Sequence, residues 1–362
     1  MYAAYNLGNM NVYHQLIFRS ILLPTFSSFS MRLTISNMNR KRILLTVLLA
    51  AEILVARTRA GALEIVHLAL PTKSFQHVIY PLAQEQRFFE IEGIDLRLVL
   101  IAPAVSIQSL MTKHIHLTLS GTSALIARSR SGAPLKVVLA ANKQVLQWVV
   151  TRPGITSLAQ LKNKRVATPG VASSSTFMTK QVLARYNMDP NKDIVFIDPG
   201  AGNHLPALLT GVVDAAILGA EQRYSALSAG MREQIFLGNE VKNSWGTLAT
   251  SERMLQHDSN LLYRFLRGTL KGLRLIRHNR QLTVSAIMKF AHVDSALAGR
   301  VYDELISTFT NDGTVDEETQ RNDLSLIRQL TGGTEPLDPS RFYDFSPARN
   351  VDRELNQIGW RP

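Results

Sequence analysis

The stretch that decides the fold runs from Val149 to Ala220. It carries four informative segments in order: Thr151-Arg152-Pro153-Gly154-Ile155-Thr156-Ser157-Leu158, Leu161-Lys162-Asn163-Lys164-Arg165-Val166, Gly170-Val171-Ala172-Ser173-Ser174-Ser175-Thr176 and Ala207-Leu208-Leu209-Thr210-Gly211-Val212-Val213-Asp214-Ala215-Ala216. Short apolar runs alternate with helical patterns, which predicts a compact α/β lobe. The serine loop precedes a helix, so it presents hydroxyls at a helix start whose N–H groups are free. Such a lobe is expected to bind a ligand together with a second lobe on the opposite side.

The residues before this stretch predict a second lobe of similar construction. Leu63–Leu70 and Ile94–Leu100 have strand patterns, and a helical pattern lies between them, so we expect a parallel pair with a right-handed crossover. Ser74 is expected to cap that helix. Further strands are predicted at 115–119 and 135–140. Ligands bind beyond the carboxyl ends of parallel strands, which makes the loops at 72–75 and 120–123 candidate contacts.

The last third of the chain is predicted to be helical and to pack against the first lobe. Helical patterns cover 262–276, 282–290, 295–310 and 316–330, and the aromatic segment Phe342–Phe345 is expected to dock as a tail. In the second lobe, Val213–Leu218 is the last strand expected. The chain therefore crosses between lobes twice, near Val149 and between Leu237 and Trp245, which predicts a two-stranded hinge.

These crossings divide the chain into four predicted ranges. Residues 1–62 form an N-terminal extension with a signal peptide, 63–148 the first part of lobe 1, 149–240 lobe 2, and 241–362 the return to lobe 1. Within 1–62, seven cations stand against Glu52 alone, a local charge of +6 (7 − 1) out of +12 for the chain. The order of basic Asn39–Arg42, apolar Ile43–Val55 and small Ala60-Gly61-Ala62 is typical of a secretory signal, expected at about 31–62. The alternative is an uncleaved amphipathic helix.

Composition excludes several classes of protein. The chain is 46% hydrophobic and 19% charged over 362 residues, which is enough for two lobes with cores. It has no cysteine, which excludes disulfides, a thiol nucleophile and cysteine-bound metals. The basic residues form no stripe with interleaved aromatics, so nucleic-acid binding is not expected. His114 and His116 lack a third ligand at suitable spacing, so no metal or cofactor is expected. Neither a Gly-x-Ser-x-Gly motif nor a P-loop is present.

Several segments together resemble a known family. They are the pattern from Ile155 to Val166, the serines at 173–175, Ala-Leu-x-x-Gly-x-x-Asp-Ala at 207–215, and Phe88-Phe89-Glu90-Ile91-Glu92-Gly93-Ile94-Asp95-Leu96. In order and spacing they are similar to the periplasmic solute-binding proteins of the nitrate, sulfonate, taurine and thiamine-precursor class, the SsuA/THI5-like or NMT1-like family, over 63–359. Two positions depart from it: the family often has Gly-x-x-Asp where Lys113–His116 stand, and commonly Gly at Asn163.

The resemblance implies the type II periplasmic binding protein fold, with two Rossmann-like lobes joined by a two-stranded hinge. It implies an exported, monomeric, non-enzymatic protein that binds a small polar or anionic solute and delivers it to an ABC permease and its ATPase. An enzyme on the same fold is the alternative, similar to a thiamine-pyrimidine synthase or a menaquinone-pathway dehydratase. Sulfonate, nitrate, taurine, aromatic acid, pyrimidine and amino acid derivatives all remain open as ligands.

Candidate ligand contacts are hydroxyls at helix starts, aromatic walls and polar groups beside strand ends. They are Thr72, Ser74, Phe75, Ser120, Thr122, Ser123, Ser173, Ser174, Ser175, Thr176, Asn203, Glu221 and Trp245. Trp148 is a further candidate wall. For the serine cluster the alternative role is simple helix capping, and for the aromatic residues it is core packing.

Overall fold

The computed structural model describes residues 62–170, 173–200 and 202–362. The predicted signal peptide therefore lies outside the described residues, apart from Ala62. The described strands are β1 (Glu64–Leu70), β2 (Ile94–Leu100), β3 (Leu117–Thr118), β4 (Leu135–Asn142), β5 (Trp148–Thr151), β6 (Lys164–Ala167), β7 (Ile194–Ile197), β8 (Ala215–Leu218), β9 (Arg232–Phe236) and β10 (Trp245–Ser251).

Helices cover both sheets and fill the last third of the chain. They are α1 (Ile79–Glu85), α2 (Phe88–Ile91), α3 (Pro103–Met111), α4 (Gly121–Ser131), α5 (Ser174–Arg185), α6 (His204–Leu209), α7 (Ala220–Ser228), α8 (Leu237–Glu240), α9 (Glu252–His257), α10 (Ser259–His278), α11 (Arg280–Ala291), α12 (Ser295–Leu305), α13 (Glu317–Thr331), α14 (Pro339–Phe342) and α15 (Ser346–Gln357). Short 3₁₀ turns occur at Phe75–His77, Leu158–Leu161 and Ile306–Thr308. Within the described part of the chain, no helix is both long and apolar enough to cross a membrane.

The two sheets have the same topology. The first has the strand order β2-β1-β3-β10-β4 and the second the order β7-β6-β8-β5-β9. In each sheet three parallel strands are followed by one antiparallel strand, β10 or β5, which lies between the third strand and the edge. Both antiparallel strands come directly after a crossover between sheets. The prediction of two similarly built lobes is thus confirmed, whereas the residue limits of the lobes stay a prediction.

One prediction about the second sheet is wrong. Val213–Leu218 is not its last strand, because β9 follows and pairs antiparallel with β5. Three successive polar residues, Arg232, Glu233 and Gln234, open β9 and hide the alternation expected of a strand. Such a pattern is typical of an edge strand that faces water.

Most of the C-terminal helices pack on the first sheet and its helices, whereas α12 also contacts α7 and α13 also contacts α5. The predicted apolar face of α10, from Leu262 to Ile276, is buried, and α10 packs against α1, α2 and α15. Phe342, Tyr343 and Phe345 are buried, so the aromatic segment docks as predicted. Helix α15, which follows it, was not predicted.

The two departures from the family pattern occupy special backbone positions. Asn163 and Lys113 have φ values of 62° and 66°, in the left-handed region where glycine is favoured. Asparagine tolerates this conformation better than lysine does, since its short side chain bonds locally. Glycine is therefore sterically favoured at these two turns, and this chain has asparagine and lysine there instead.

Replacing Lys113 by glycine should stabilise the fold. Relief of the left-handed strain, about 1–2 kcal/mol, outweighs the backbone entropy that glycine loses on folding, about 0.5–1 kcal/mol. Urea unfolding should show a rise in the free energy of unfolding of up to about 1.5 kcal/mol. Lys162→Gly is the control, because φ at Lys162 is −56° and glycine there should destabilise. A loss of stability in Lys113→Gly would contradict the strain argument.

Candidate functional site

A cavity of about 190 Å³ lies at the carboxyl ends of β1, β2 and β3. The first sheet contributes Ser120, Gly121, Thr122 and Ser123, which open α4, and the second contributes Ser174, which opens α5. The remaining wall consists of Pro71, Gln76, His77, Pro103, Leu119, Ser244, Trp245, Gly246 and Thr247. Two helix starts from different sheets therefore border one cavity.

Ser120 is the most informative residue of this cavity. It is the N-cap of α4, but its hydroxyl caps no N–H group, is buried and has no hydrogen-bond partner among the described residues. A buried hydroxyl without a partner costs about 1–3 kcal/mol, so the site has an unused donor and acceptor. The first N–H groups of α4 add donors and a partial positive charge. A polar or anionic group can satisfy both.

The residues of the serine cluster, 173–176, have different roles. The Ser173 hydroxyl caps α5 by accepting from the Thr176 N–H at 3.3 Å. The buried Thr176 hydroxyl donates to the Gly170 carbonyl oxygen at 2.6 Å, which ties the loop to the helix. Ser175 is also buried, and only Ser174 lines the cavity.

Phe75 and Glu221 meet between the two halves of the molecule. The Phe75 ring is buried edge-on against Phe309 at 5.2 Å, so it packs in the core and does not line the cavity. Its N–H donates to Glu221 Oε1 at 2.6 Å. Burial raises the pKa of Glu221 above its ordinary value, and the N–H groups it accepts from partly offset that effect.

Of the other predicted contacts, Trp245 lines the cavity and Thr72, Ser74, Asn203 and Trp148 do not. The predicted capping by Ser74 is wrong, since its side chain caps no N–H and instead lies 3.1 Å from the Thr72 hydroxyl. Asn203 is exposed and donates to the Pro199 carbonyl. Trp148 is buried and stacks on Phe236, whereas Trp245 is half-buried and lines the cavity. Ligand contact by each of these residues stays a prediction.

His77 lines the cavity and was not predicted. Its Nδ1 donates to the Thr72 carbonyl oxygen, 2.9 Å away, which leaves Nε2 as an acceptor. Burial lowers the pKa of His77 to about 4, and the hydrogen bond to Thr72 only partly offsets this, so the ring is neutral at pH 7. None of the described residues that line the cavity is a lysine, an arginine or a carboxylate. The polar groups that this lining offers are hydroxyls, N–H groups and helix dipoles rather than a formal cation.

A pH titration of stability tests the state of His77. The unfolded chain takes up a proton near pH 6.5 but the folded chain only near pH 4, so acidification through that window should cost up to about 3 kcal/mol. Asp323 has the opposite effect on stability. Its pKa is raised to about 6 in the folded state, so the folded chain takes up this proton first and acidification stabilises the fold at this group. The measurement is therefore the difference between the wild type and His77→Gln in urea unfolding at pH 7 and pH 4.5. An identical pH profile would contradict the assignment.

A larger cavity, of about 580 Å³, lies along the first crossover and the segment before α13. Lys143, Lys242 and Asp316 are among its lining residues. Lys242 is already paired with Asp316 at 2.9 Å and with Glu318. The helix start that borders this cavity is already capped, since the Asp316 side chain accepts from the Thr319 N–H at 2.8 Å. The smaller cavity is the better candidate for the functional site, because helix starts of both sheets border it and the Ser120 hydroxyl there has no partner among the described residues.

His114 and His116, which lie close together in sequence, make hydrogen bonds with groups of the protein. His116 Nδ1 accepts from the His67 N–H at 3.0 Å, and His114 Nδ1 lies 2.8 Å from the Thr112 hydroxyl. Among the described residues, no group of three or more histidine, aspartate or glutamate side chains could hold a metal ion.

Comparison with known proteins places the chain in a family. The sequence model described as NMT1/THI5 like matches residues 74–281. No curated protein matches the sequence. The structure is similar to the periplasmic aliphatic sulphonate binding protein SsuA from Escherichia coli, with a TM-score of 0.64 and 16% identity over 77% of this chain and 91% of that chain.

Two further solved structures share the fold. A putative periplasmic sulfonate-binding protein SsuA from Methylobacillus flagellatus has a TM-score of 0.65 and 13% identity, over 83% of this chain and 97% of that chain. The desulfurization enzyme DSZB has a TM-score of 0.59 and 12% identity, over 80% and 99%. These likenesses confirm the predicted two-lobed periplasmic binding protein fold. Since the family match spans more than half of the sequence, the chain belongs to the NMT1/THI5-like family.

Proposed function

We propose that the protein is an exported solute-binding component of an ABC importer. It binds a small polar or anionic organic solute, of the sulfonate, nitrate, taurine or pyrimidine type, in the cavity between its lobes. The protein is a monomer, and it delivers the bound solute to a permease and its ATPase. The observation that carries this proposal is the buried, unpartnered Ser120 hydroxyl at the start of α4, in a cavity that Ser174 of the other sheet also lines.

The chemistry of the cavity supports a polar head group. Hydroxyls and free N–H groups at a helix start hold oxyanions without a formal cation, because the donors are preorganised and the helix dipole favours negative charge. Trp245 offers an apolar wall to the rest of the solute. Contacts from both lobes make affinity depend on closure, which favours solutes long enough to meet Ser120 and Ser174 together.

The relatives support the same class of function. Two structures with this fold are described as periplasmic sulfonate-binding proteins, one of them of a putative sulfonate ABC transporter. The predicted signal peptide supports export. The enzyme DSZB shares the fold as well, so turnover is the outcome to exclude. The absence of cysteine argues against a synthase that depends on a cysteine-rich motif.

A thermal-shift and calorimetric screen tests the proposal. The probes are MOPS, ethanesulfonate, taurine, nitrate, and an aminopyrimidine, each incubated with the purified protein and then analysed by mass spectrometry. A probe at 100 times its Kd should stabilise the fold by about 2.7 kcal/mol. Stabilisation with one-to-one stoichiometry and recovery of the unchanged compound would support binding. Conversion of any probe would contradict the proposal and favour an enzyme.

A further inference from the structure

Asp323 lies on α13 and is almost fully buried, at 5% exposure, although none of the described residues is a cationic partner for it. Its Oδ1 accepts from the Asn243 side chain at 2.8 Å and from the Ser244 N–H at 3.1 Å. Its Oδ2 accepts from the Ser244 hydroxyl at 2.6 Å and from the Tyr343 hydroxyl at 3.1 Å. Three of the four donors therefore belong to the second crossover between the sheets.

This crossover ends at the wall of the cavity. Ser244 itself lines the cavity, and Trp245, the next residue, begins β10 and lines it as well. Because one carboxylate holds both the N–H and the hydroxyl of Ser244, the position of the crossover is set by two bonds at a single residue. The side chain of Trp245 is attached one peptide unit away, so its placement follows from that of Ser244.

The helix that carries Asp323 contacts both helices that open onto the cavity. The hydroxyl of Thr331 on α13 lies 3.2 Å from the hydroxyl of Ser129 on α4. Gln329 of α13 accepts at 3.1 Å from Gln181 on α5. Helix α13 therefore bridges the two sheets, and Asp323 ties the crossover to this bridge.

From these contacts we propose that Asp323 is a positioning residue for the cavity, whose carboxylate holds Ser244 and thereby sets Trp245 at the cavity wall. The inference rests on the proposed function, because the position of Trp245 matters for binding only if a solute occupies the cavity. Its test needs no solute, so a failed solute screen and a failed test of Asp323 are separate results. Asp323 itself is outside the cavity lining and acts only through the crossover.

Protonation provides a readout that simple packing would not. Burial raises the pKa of Asp323 to about 6, and its four hydrogen bonds offset part of that rise. At pH 8 both oxygens accept, whereas at pH 5 the proton on the carboxyl must be donated, which forces a partner such as Ser244 to turn. His77, in the cavity, has a pKa of about 4 and stays neutral in this window.

Other charged groups around Asp323 are already engaged. Burial and the neighbouring carboxylate raise the pKa of Tyr343 well above its usual value, so it stays protonated. The charged side chains on the elements packed around α13 have these contacts: Lys242 with Asp316 and Glu318, Arg185 with Glu240, Arg128 with Glu252, Arg130 with the Leu330 carbonyl, Lys136 with the Ser340 carbonyl, Asp338 with Ser340, and Asp344 with Ser346. None of these groups lies in the hydrogen-bond set of Asp323.

The experiment is fluorine NMR of the full chain labelled with 5-fluorotryptophan, without solute. The three tryptophans, at 148, 245 and 360, give three signals that Trp→Phe variants assign. In the wild type the Trp245 signal should shift between pH 8 and pH 5 with a midpoint near 6. In Asp323→Asn this titration should disappear, and hydrogen exchange at the Ser244 amide should become at least tenfold faster.

Tyr343→Phe is the matched control. It removes the one hydrogen bond to Asp323 that does not come from the crossover and leaves the three bonds from Asn243 and Ser244 in place, so it should lower stability but keep the titration of Trp245. A Trp245 signal that does not titrate in the wild type would overturn the proposal, and this result needs no variant to fold. A titration that persists unchanged in folded Asp323→Asn would overturn it as well.

Discussion

Replacing Gly121 by alanine should weaken solute binding at least tenfold and lower the stability of the fold. A Cβ at this position would overlap the Thr247 hydroxyl and would lie 2.6 Å from Thr247 Cβ and 3.0 Å from its carbonyl oxygen. Since β10 is held by pairing with β3 on one side and β4 on the other, the start of α4 must move instead and take Ser120 and Thr122 with it. Overpacking of this kind costs about 1–3 kcal/mol. Calorimetry with the best probe of the screen, and urea unfolding, measure the two effects.

Gly154→Ala is the control for this substitution. A Cβ at Gly154 meets nothing within 4 Å and its backbone is not left-handed, so binding and stability should stay within error of the wild type. A second variant, Gly121→Ala with Thr247→Gly, removes the overlapping side chain and should recover much of the stability. Unchanged affinity in Gly121→Ala would mean that the start of α4 takes no part in binding.

Replacing Glu92 by glutamine should destabilise the fold by about 3–5 kcal/mol. Glu92 Oε1 pairs with Lys271 Nζ at 2.7 Å and Oε2 with Arg267 Nη1 at 2.8 Å. The side chains of Glu92 and Lys271 are only 6% and 10% exposed, so the substitution leaves a buried ammonium group without a counter-charge. The pair joins α2 to α10, which fixes the helices behind the first sheet. Urea unfolding gives the free energy directly.

Glu64→Gln is the matched control for Glu92→Gln. Glu64 pairs with Arg264 at 2.5 Å, but its side chain is 51% exposed, and an exposed pair contributes about 0–1 kcal/mol. Both substitutions neutralise one carboxylate, but Glu64 is exposed and pairs with one cation, whereas Glu92 is buried and pairs with two. A loss of less than 1 kcal/mol in Glu92→Gln would contradict the account of this buried pair.

The fold could be predicted from the sequence because its signals are local. Apolar runs followed by helical patterns predict the parallel strands of both lobes, and one order of elements occurs twice. Strand β9 was missed because its first three residues are polar. Helix α15 buries Ala348, Val351 and Leu355 at spacings of three and four, a helical signal that the neighbouring aromatic segment obscured.

The candidate site was only partly predictable, for a physical reason. Ser120 and Ser174 follow strands and open helices, so local rules place them at the sheet edge. His77 and Ser244 reach the cavity through the fold of a turn and a crossover, which local patterns do not specify. Phe75 is the first residue of the same turn as His77, and only tertiary packing turns its ring toward Phe309 and away from the cavity.

The central claim is that one solute contacts both lobes without being changed. Isothermal titration calorimetry with the best probe, in the wild type, Ser120→Ala, Ser174→Ala and the double variant, tests it most directly. We expect one-to-one binding, a Kd about 2–10-fold weaker in each single variant, as for loss of one hydrogen bond, and the unchanged compound after the titration. Affinity that neither substitution alters, or conversion of the compound, would contradict the claim.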